Sequence, residues 1–287
     1  MKNEWHKVTV ITQADVSDIA SCLLDELSCN GLIEDVDSNK ITITAYFDAN
    51  LFSASKLKDM IIESFASIEE LAQSVIKIET AAEDDWESKW KQWFKPHEIV
   101  DGIIVKPSWE TYKPAPNEKV ITLDPGMAFG TGLHSTTKLC AKEIAKICFK
   151  KEIKHLLDVG SGSGILSIIA RYLGIKDIDA VEIDEEAIKV AIENFQTNEI
   201  TDIEIAKDIT EISKKYDLIV ANILLSNLIV LKDSLSRVCE DGADLILSGI
   251  IHEQEIDIRR AFNDSFDIID SHHLEEWSVM HLKRKMR

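Results

Sequence analysis

Two acids, an amide and a cluster of glycines stand at spacings that would hold a small cationic ligand. Asp158 ends the apolar run of "LLDVG", and the turn after it is Gly160-Ser161-Gly162-Ser163-Gly164. Glycines in a strand-to-helix turn let a ligand approach the backbone, and the helix that follows offers unpaired N–H groups. The spacing is GxGxG rather than the GxGxxG of dinucleotide sites, and no GxxxxGK[ST] motif occurs. Asp158 would repel a pyrophosphate but suits a ligand with a cationic amine. Glu182, closing "DAVE", is placed to accept hydrogen bonds from a ribose diol. Asp184 reads as the cap of the next helix. Asp208, after "IEIAK", either receives an adenine amino group or is a solvated turn acid. Asn222 ends "YDLIVAN" as an amide at the mouth of a buried strand, where it both accepts and donates.

A second feature precedes these. "LDPGMAFGTGLHSTT", residues 123–137, combines three glycines with the apolar triplet Met127-Ala128-Phe129. Gly126, Gly130 and Gly132 permit a tight path. Met127 and Phe129 read as a cover that excludes water from a ligand. Ser135 or Thr136 is expected to cap the following helix, which leaves Thr137 in its first turn. His134 is a candidate proton acceptor, with loop packing as the alternative. "HEQEI" lacks the second histidine of a HExxH metal site, and no metal site is expected.

The elements that position these residues follow from periodicity. Strands at "LLDVG", "DIDAVEID", "IEIAKD", "YDLIVANI" and "GADLILSGI" alternate with amphipathic helices, so the expected fold is α/β with a mostly parallel sheet covered on both faces. "FDIIDSHHLEEWSVMHLKRK" adds two strands at an antiparallel edge. The first eighty residues read instead as β-α-β-β-α-β, a small α+β ferredoxin-like unit with helices on one face. They hold six lysines, no arginine and fourteen acids. Between the two, Trp86, Trp90 and Trp93 fall on one helical stripe, with Asp84 or Asp85 as cap and Pro96 as stop. The division is 1–82, a recognition domain; 83–97, a linker helix; and 98–287, the ligand-binding domain.

The chain has 287 residues and a net charge of −19. An acidic surface argues against direct sequence-specific nucleic-acid binding, which needs a basic face, and it is compatible with a basic protein partner. No apolar run reaches membrane-spanning length and no signal peptide is visible. Five scattered cysteines read as free thiols of a reducing cytoplasm, so the expected localisation is cytoplasmic.

Taken together, these residues resemble class I S-adenosylmethionine-dependent methyltransferases. The loop at 123–137 narrows the resemblance to the ribosomal protein L11 methyltransferase family, as do "WKQWFKP", "KPSWE", "LDVGSGSGILSI", "VANIL", "LSGI" and "EEW", which come in the family's order along nearly the whole chain. The resemblance implies a Rossmann-like methyltransferase sheet preceded by a substrate-recognition domain. It implies S-adenosylmethionine as cofactor, with S-adenosylhomocysteine as product. The implied acceptors are lysine side chains and the N-terminal amine of ribosomal protein L11, free or on the large subunit. By position, the cofactor contacts are Thr137, Gly160, Glu182 and Asn222, followed by Phe129, Gly162 and Asp208. No catalytic residue is assigned; Asn222 is the candidate for orienting the amine. A monomer without membrane association is expected. The chain departs from the family's pattern at Glu182, where Asp is usual, at Leu133-His134-Ser135, and at Leu225-Ser226-Asn227. A class I methyltransferase acting on another protein or a small molecule is the alternative. An NAD-dependent oxidoreductase lacks its motif here, and a ribosome-binding protein without turnover stays open.

Overall fold

The computed structural model describes residues 4–13, 16–27, 29, 32–37, 40–49, 51–66, 68–82, 94–124 and 132–286. The tryptophan stripe with its Asp84 or Asp85 cap, and the loop residues Gly126, Met127, Ala128, Phe129 and Gly130, lie outside the described residues. The chain divides into two units, residues 1–94 and 95–287.

The first unit runs β1 (Glu4–Gln13), α1 (Ser17–Glu26), β2 (Leu32–Asp37), β3 (Lys40–Asp48), α2 (Ala54–Phe65), α3 (Glu69–Ala72) and β4 (Val75–Ala82). Its strands form one antiparallel sheet in the order β2-β3-β1-β4. Strand alternation sends every second residue to one face. Val8 and Val10 of β1 therefore lie opposite Ala45 and Ile43 of β3. They share a core with Ala20 and Leu24 of α1 and with Leu57, Ile61 and Phe65 of α2. This is the ferredoxin-like unit. The stretch from Ser53 to Leu71 has apolar residues at helical spacing throughout, yet the helix is broken after Phe65. Ile68 adopts an extended conformation there, and the fully buried Leu71 joins the same core from the short α3.

The second unit opens with a small three-stranded sheet that the sequence pattern did not resolve. It contains β5 (His97–Val100), β6 (Ile103–Lys106) and β7 (Lys119–Thr122). Each strand has four residues, too few for a clear period. Then follow α4 (Ser135–Lys150), β8 (His155–Val159), α5 (Ile165–Tyr172), β9 (Asp177–Val181), α6 (Glu185–Thr197), β10 (Glu204–Ala206), β11 (Tyr216–Asn222), α7 (Leu225–Val238), β12 (Cys239–Ile251), α8 (Glu255–Phe262), β13 (Phe266–Leu274) and β14 (Trp277–Arg284). Single 3₁₀ turns occupy Ile209–Glu211 and His252–Gln254.

The large sheet has the order β10-β9-β8-β11-β12-β14-β13. Strands β8 to β12 are parallel, and β14 runs antiparallel to both of its neighbours. The chain winds outward from β8 to β10 and then returns to β11 on the other side of β8, which makes a topological switch point between β8 and β11. Neighbouring residues along each strand go to opposite cores. Leu156, Leu218 and Val220 pack with α4 and α5 on one face. Leu157, Ile219 and Ala221 pack with α7 and α8 on the other.

A buried polar chain pins α4 to the antiparallel edge. His281 of β14 lies between two carboxylates, Nδ1 at 3.0 Å from Glu143 Oε1 and Nε2 at 2.8 Å from Asp244 Oδ1. Asp244 also meets Lys151 at 2.6 Å and Lys283 at 3.2 Å. Burial alone would lower the His281 pKa, but hydrogen bonds and charge from Asp244 and Glu143 outweigh it and raise the value above its ordinary 6.5. Burial opposes ionisation of Asp244 and Glu143 too, yet their bonds to His281 and to lysines hold both pKa values below the ordinary range.

The linkage has a definite sign. The imidazolium contributes stability that is complete below pH 6.5 and fades as pH rises through the raised His281 value. The carboxylates contribute stability that is complete above about 4.5 and fades on acidification through their lowered values. The cluster is therefore at full strength between about pH 4.5 and 6.5. Replacing His281→Leu leaves two buried carboxylates short of a partner, an expected loss of about 2–3 kcal/mol at pH 6. Thermal melts from pH 5.5 to 8.5 should show the gap between wild type and variant narrowing as pH rises; a constant gap would mean that His281 is neutral in the fold.

Candidate active site

A cavity of about 510 Å³ opens at the carboxyl ends of β8, β9 and β11. Its wall includes Val159, Gly160, Gly162, Glu182, Ile183, Asn222 and Leu224, with Thr136 and His134 from the start of α4, Gly249 from β12 and Trp277 from β14. Residues far apart in the chain meet here because the switch point sets the end of β11 beside the turn after β8.

The glycine turn is fixed by its neighbour β9. Gly160 N–H and Ser161 N–H donate to the Val181 carbonyl at 2.8 and 3.1 Å. Gly160 has φ +72°, and a Cβ there would come within 2.2 Å of Ile223 Cγ2. Ile223 is branched at Cβ and cannot easily swing away. Glu182 completes the clasp: Oε2 accepts from Gly162 N–H at 2.8 Å, and Oε1 accepts from Ile183 and Asp184 N–H at 2.8 and 3.1 Å. An acid at the end of β9 thus fixes both the glycine turn and the start of α6; of roughly four lone-pair sites on the carboxylate, the three bonds leave one, on Oε2.

Asp158 has a different place from the one its chemistry suggested. It is almost fully buried and is not on the cavity wall. Its Oδ2 accepts from the Ser167 N–H at 3.1 Å and from the Ser167 hydroxyl at 2.7 Å, which ties α5 to β8. Burial pushes its pKa up to about 6 against the pull of Ser167.

Asn222 is half-buried on the wall, and its Oδ1 has no hydrogen-bond partner among the described residues. An orphaned buried carbonyl is destabilising unless something else donates to it. Thr137 lies in the first turn of α4, as expected, and is almost fully buried. Its hydroxyl too lacks a partner among the described residues, but the wall residue is its neighbour Thr136. The cap of α4 is His134, not Ser135 or Thr136, because the imidazole reaches forward. Thr136 N–H donates to His134 Nδ1 at 3.3 Å, and the Thr136 hydroxyl lies 2.7 Å from the same nitrogen. Ser135 instead donates to Glu275 Oε2 at 2.5 Å.

The Nδ1 atom is thereby occupied as an acceptor, and the neutral ring carries its proton on Nε2. Burial pushes the His134 pKa down, with Glu276 and Glu275 opposing weakly. With the Nδ1 lone pair engaged by Thr136 and the pKa lowered, the ring is a poorer proton acceptor than a free imidazole. Its edge packs against Trp277, centroids 4.9 Å apart. Asp184 caps α6 through Glu186 N–H at 2.9 Å. Asp208 is exposed, caps the 3₁₀ turn through Thr210 N–H at 2.7 Å, and is not part of the wall. Phe129 lies outside the described residues.

Wall residues to which the sequence reading gave no ligand-facing role include Thr136, Trp277 and Gly249. Gly249 had a visible signal, a glycine inside an apolar strand, which marks a bulge or a close backbone approach. It has φ +80°, and a Cβ would meet the Ile223 carbonyl oxygen at 2.4 Å and its carbon at 2.7 Å. The register between β12 and β14 shifts there, between Leu247 and Ile250.

The strand order, the glycine turn at the switch point and the acid closing the adjacent strand define a class I methyltransferase. The profile of the family described as "Ribosomal protein L11 methyltransferase (PrmA)" matches residues 4–285, and the chain belongs to that family. It is 34% identical over 307 residues to the ribosomal protein L11 methyltransferase of Citrifermentans bemidjiense, covering 100% of each sequence. It is 35% identical to that of Caldicellulosiruptor bescii, covering 98% of this chain and 99% of the relative. Among solved structures, a ribosomal protein L11 methylase from Lactobacillus delbrueckii subsp. bulgaricus aligns with a TM-score of 0.62 at 34% identity, over 67% of this chain and all of that one. The chain is an S-adenosylmethionine-dependent methyltransferase.

Two glycine substitutions separate backbone strain from collision. Gly174 has φ +106° with nothing within 4 Å of the place a Cβ would take, whereas at Gly249 a Cβ would meet backbone. Gly174→Ala should lower stability by about 1–2 kcal/mol and leave S-adenosylhomocysteine affinity unchanged. Gly249→Ala should cost about 3 kcal/mol or more and weaken S-adenosylhomocysteine binding at least tenfold, because Ile223 must move. Thermal melts and calorimetric titration of both variants check this; equal binding would remove Gly249 from the site.

Proposed function

We propose that this enzyme transfers methyl groups from S-adenosylmethionine to amino groups of ribosomal protein L11, the lysine side chains and the N-terminal amine. The single observation that carries the reading is the convergence of Gly160, Glu182 and Asn222, whose Oδ1 has no hydrogen-bond partner among the described residues, on one cavity at the switch point, in a chain whose full-length relatives bear that protein's name.

The residues present fit the cofactor. Glu182 Oε2 has acceptor capacity left for a ribose hydroxyl, and Gly160 and Gly162 supply a floor without side chains. Thr137 and Asn222 offer polar atoms that lack partners among the described residues. We assign cofactor contacts to Gly160, Gly162, Glu182, Asn222 and Thr137. Phe129 is proposed as part of a cover from the loop before α4. Asp208 is kept as a weaker adenine contact, since it would have to act from outside the wall. When bound, the cofactor supplies a methyl group already activated on a sulfonium.

What the chain must do is bind the acceptor amine uncharged and aim it, at about 3–3.5 Å. A free lysine amine has a pKa of about 10.4, and desolvation lowers it. Ile223, Leu224, Val230 and Trp277 make an apolar mouth suited to that task. The Asn222 Oδ1 accepts an amine N–H and thereby directs the nitrogen lone pair. His134 holds its proton on Nε2 and keeps the mouth packed through Trp277.

Of the linker helix expected at 83–97, residues 83–93 lie outside the described residues, Phe94 to Pro96 are not helical and His97 opens β5. The first unit is proposed as the acceptor-recognition domain. Its sheet carries helices on one face only, and the other face presents Lys7, Thr9, Thr42, Thr44 and Tyr46. Among the described residues no helix is long and apolar enough to cross a membrane. We propose a cytoplasmic enzyme, active as a monomer, that takes L11 free or on the large subunit.

Labelled methyl transfer to unmethylated L11 tests the reading. Wild type should label L11, with mass spectrometry placing the methyls on amines. Asn222→Ala should lower kcat by roughly 10²-fold through misaimed amine. Glu182→Ala should raise the cofactor Kd roughly ten- to hundredfold, as expected for lost bonds to a charged group. Cofactor binding without label on L11 would leave the fold and remove the acceptor.

A further inference from the structure

A second concavity of about 860 Å³ lies against the cofactor cavity, wholly within the second unit. It runs between α7 and α8, with the end of β12 as its floor. Leu224, Gly249 and Trp277 line both concavities, so the two adjoin. On the α7 side its wall is formed by Ser226 and Ile229, both exposed. On the α8 side it carries Asp257 and Arg260.

Its size sits in the range of about 300–1,000 Å³ that holds a ligand of several residues' bulk rather than one side chain. Its chemistry is divided. Exposed Leu224 and Ile229 offer apolar contact for an alkyl stem. The far wall offers charge, and that charge is only loosely committed. Asp257 and Arg260 are 3.8 Å apart, with side chains 48% and 74% exposed, a pair of the kind that contributes little and exchanges partners readily.

We propose that the groove between α7 and α8 seats the stretch of the acceptor polypeptide next to the methylated amine, and that Asp257 pairs with a second positive charge on that stretch. The inference rests on the reading of the acceptor given above. It follows from the three wall residues that the two concavities share and from the exposed, weakly paired Asp257 carboxylate on the α8 wall, the one acid among the described residues that the groove offers to a cation. Asp257 is then a specificity-determining residue. It acts on docking, not on the transfer step, and its effect should be screened by salt.

The test is steady-state methylation of full-length L11 by the intact enzyme, with S-adenosylhomocysteine titration as a control for the cofactor site. Asp257→Lys should raise the KM for L11 at least tenfold, leave kcat and S-adenosylhomocysteine affinity within twofold, and lose much of its KM effect at 0.5 M salt. Asp257→Glu should keep KM within threefold. Should Asp257→Lys disturb folding, Ser226→Arg places a positive charge on the opposite, exposed wall and should raise KM in the same way. An unchanged KM in the folded lysine or arginine variant, or a fall in kcat at constant KM, overturns the proposal while wild-type transfer to L11 upholds the function. Absence of wild-type transfer to L11 overturns both.

Discussion

The site depends on where Ile223 can sit. This one residue, just past the end of β11, lies between the glycine turn of β8 and the bulge of β12. A methyl group at Gly160 would strike its side chain, and one at Gly249 would strike its backbone. Two missing side chains on the two neighbouring strands let the chain leave β11 low over the sheet. That path leaves Asn222 on the cavity wall and starts α7 at Leu225. A bulkier residue at either glycine would lift the turn, and the amide would move with it. Close packing makes such contacts discrete rather than elastic.

The same economy appears at Glu182. One carboxylate accepts three backbone N–H groups from two different turns, and so locks the ends of β8 and β9 together before any ligand is considered. Preorganisation of this kind spares the cofactor the cost of ordering its own site. It also gives a structural reading of the departure from Asp at this position, since the longer arm reaches the Gly162 N–H across the gap between strands. Polar groups farther off are used differently. Asp158 and the Glu143–His281–Asp244 chain lie in the interior and hold helices to the sheet rather than facing the cavity.

The fold was largely legible in the sequence because its signals are local. Alternation in β1 and β3, continuous apolar runs in β8 and β11, and helical stripes between them each report a burial pattern that a single element must satisfy. The four-residue strands β5, β6 and β7 were not, since no period can be read in so short a run. The break after Phe65 was not either, because the stretch is apolar at helical spacing on both sides of Ile68. At the site, Gly160, Gly162, Glu182 and Asn222 could be named from strand ends alone. The roles of Asp158, Asp208 and His134 could not, as an acid or an imidazole at a strand end or loop has several partners within reach and sequence does not rank them.

What the sequence by itself determined was the order of elements, the family, and the residue types that end the central strands; these follow from burial and from glycine's tolerance of a left-handed backbone. What only the tertiary structure decided was which of those groups share a cavity. Thr136 rather than Thr137 on the wall, Trp277 packed on His134, Gly249 under Ile223, and a groove that shares Leu224 and Trp277 with the cavity all arise from contacts between segments dozens of residues apart. Such contacts are set by strand order and register, which no local pattern encodes.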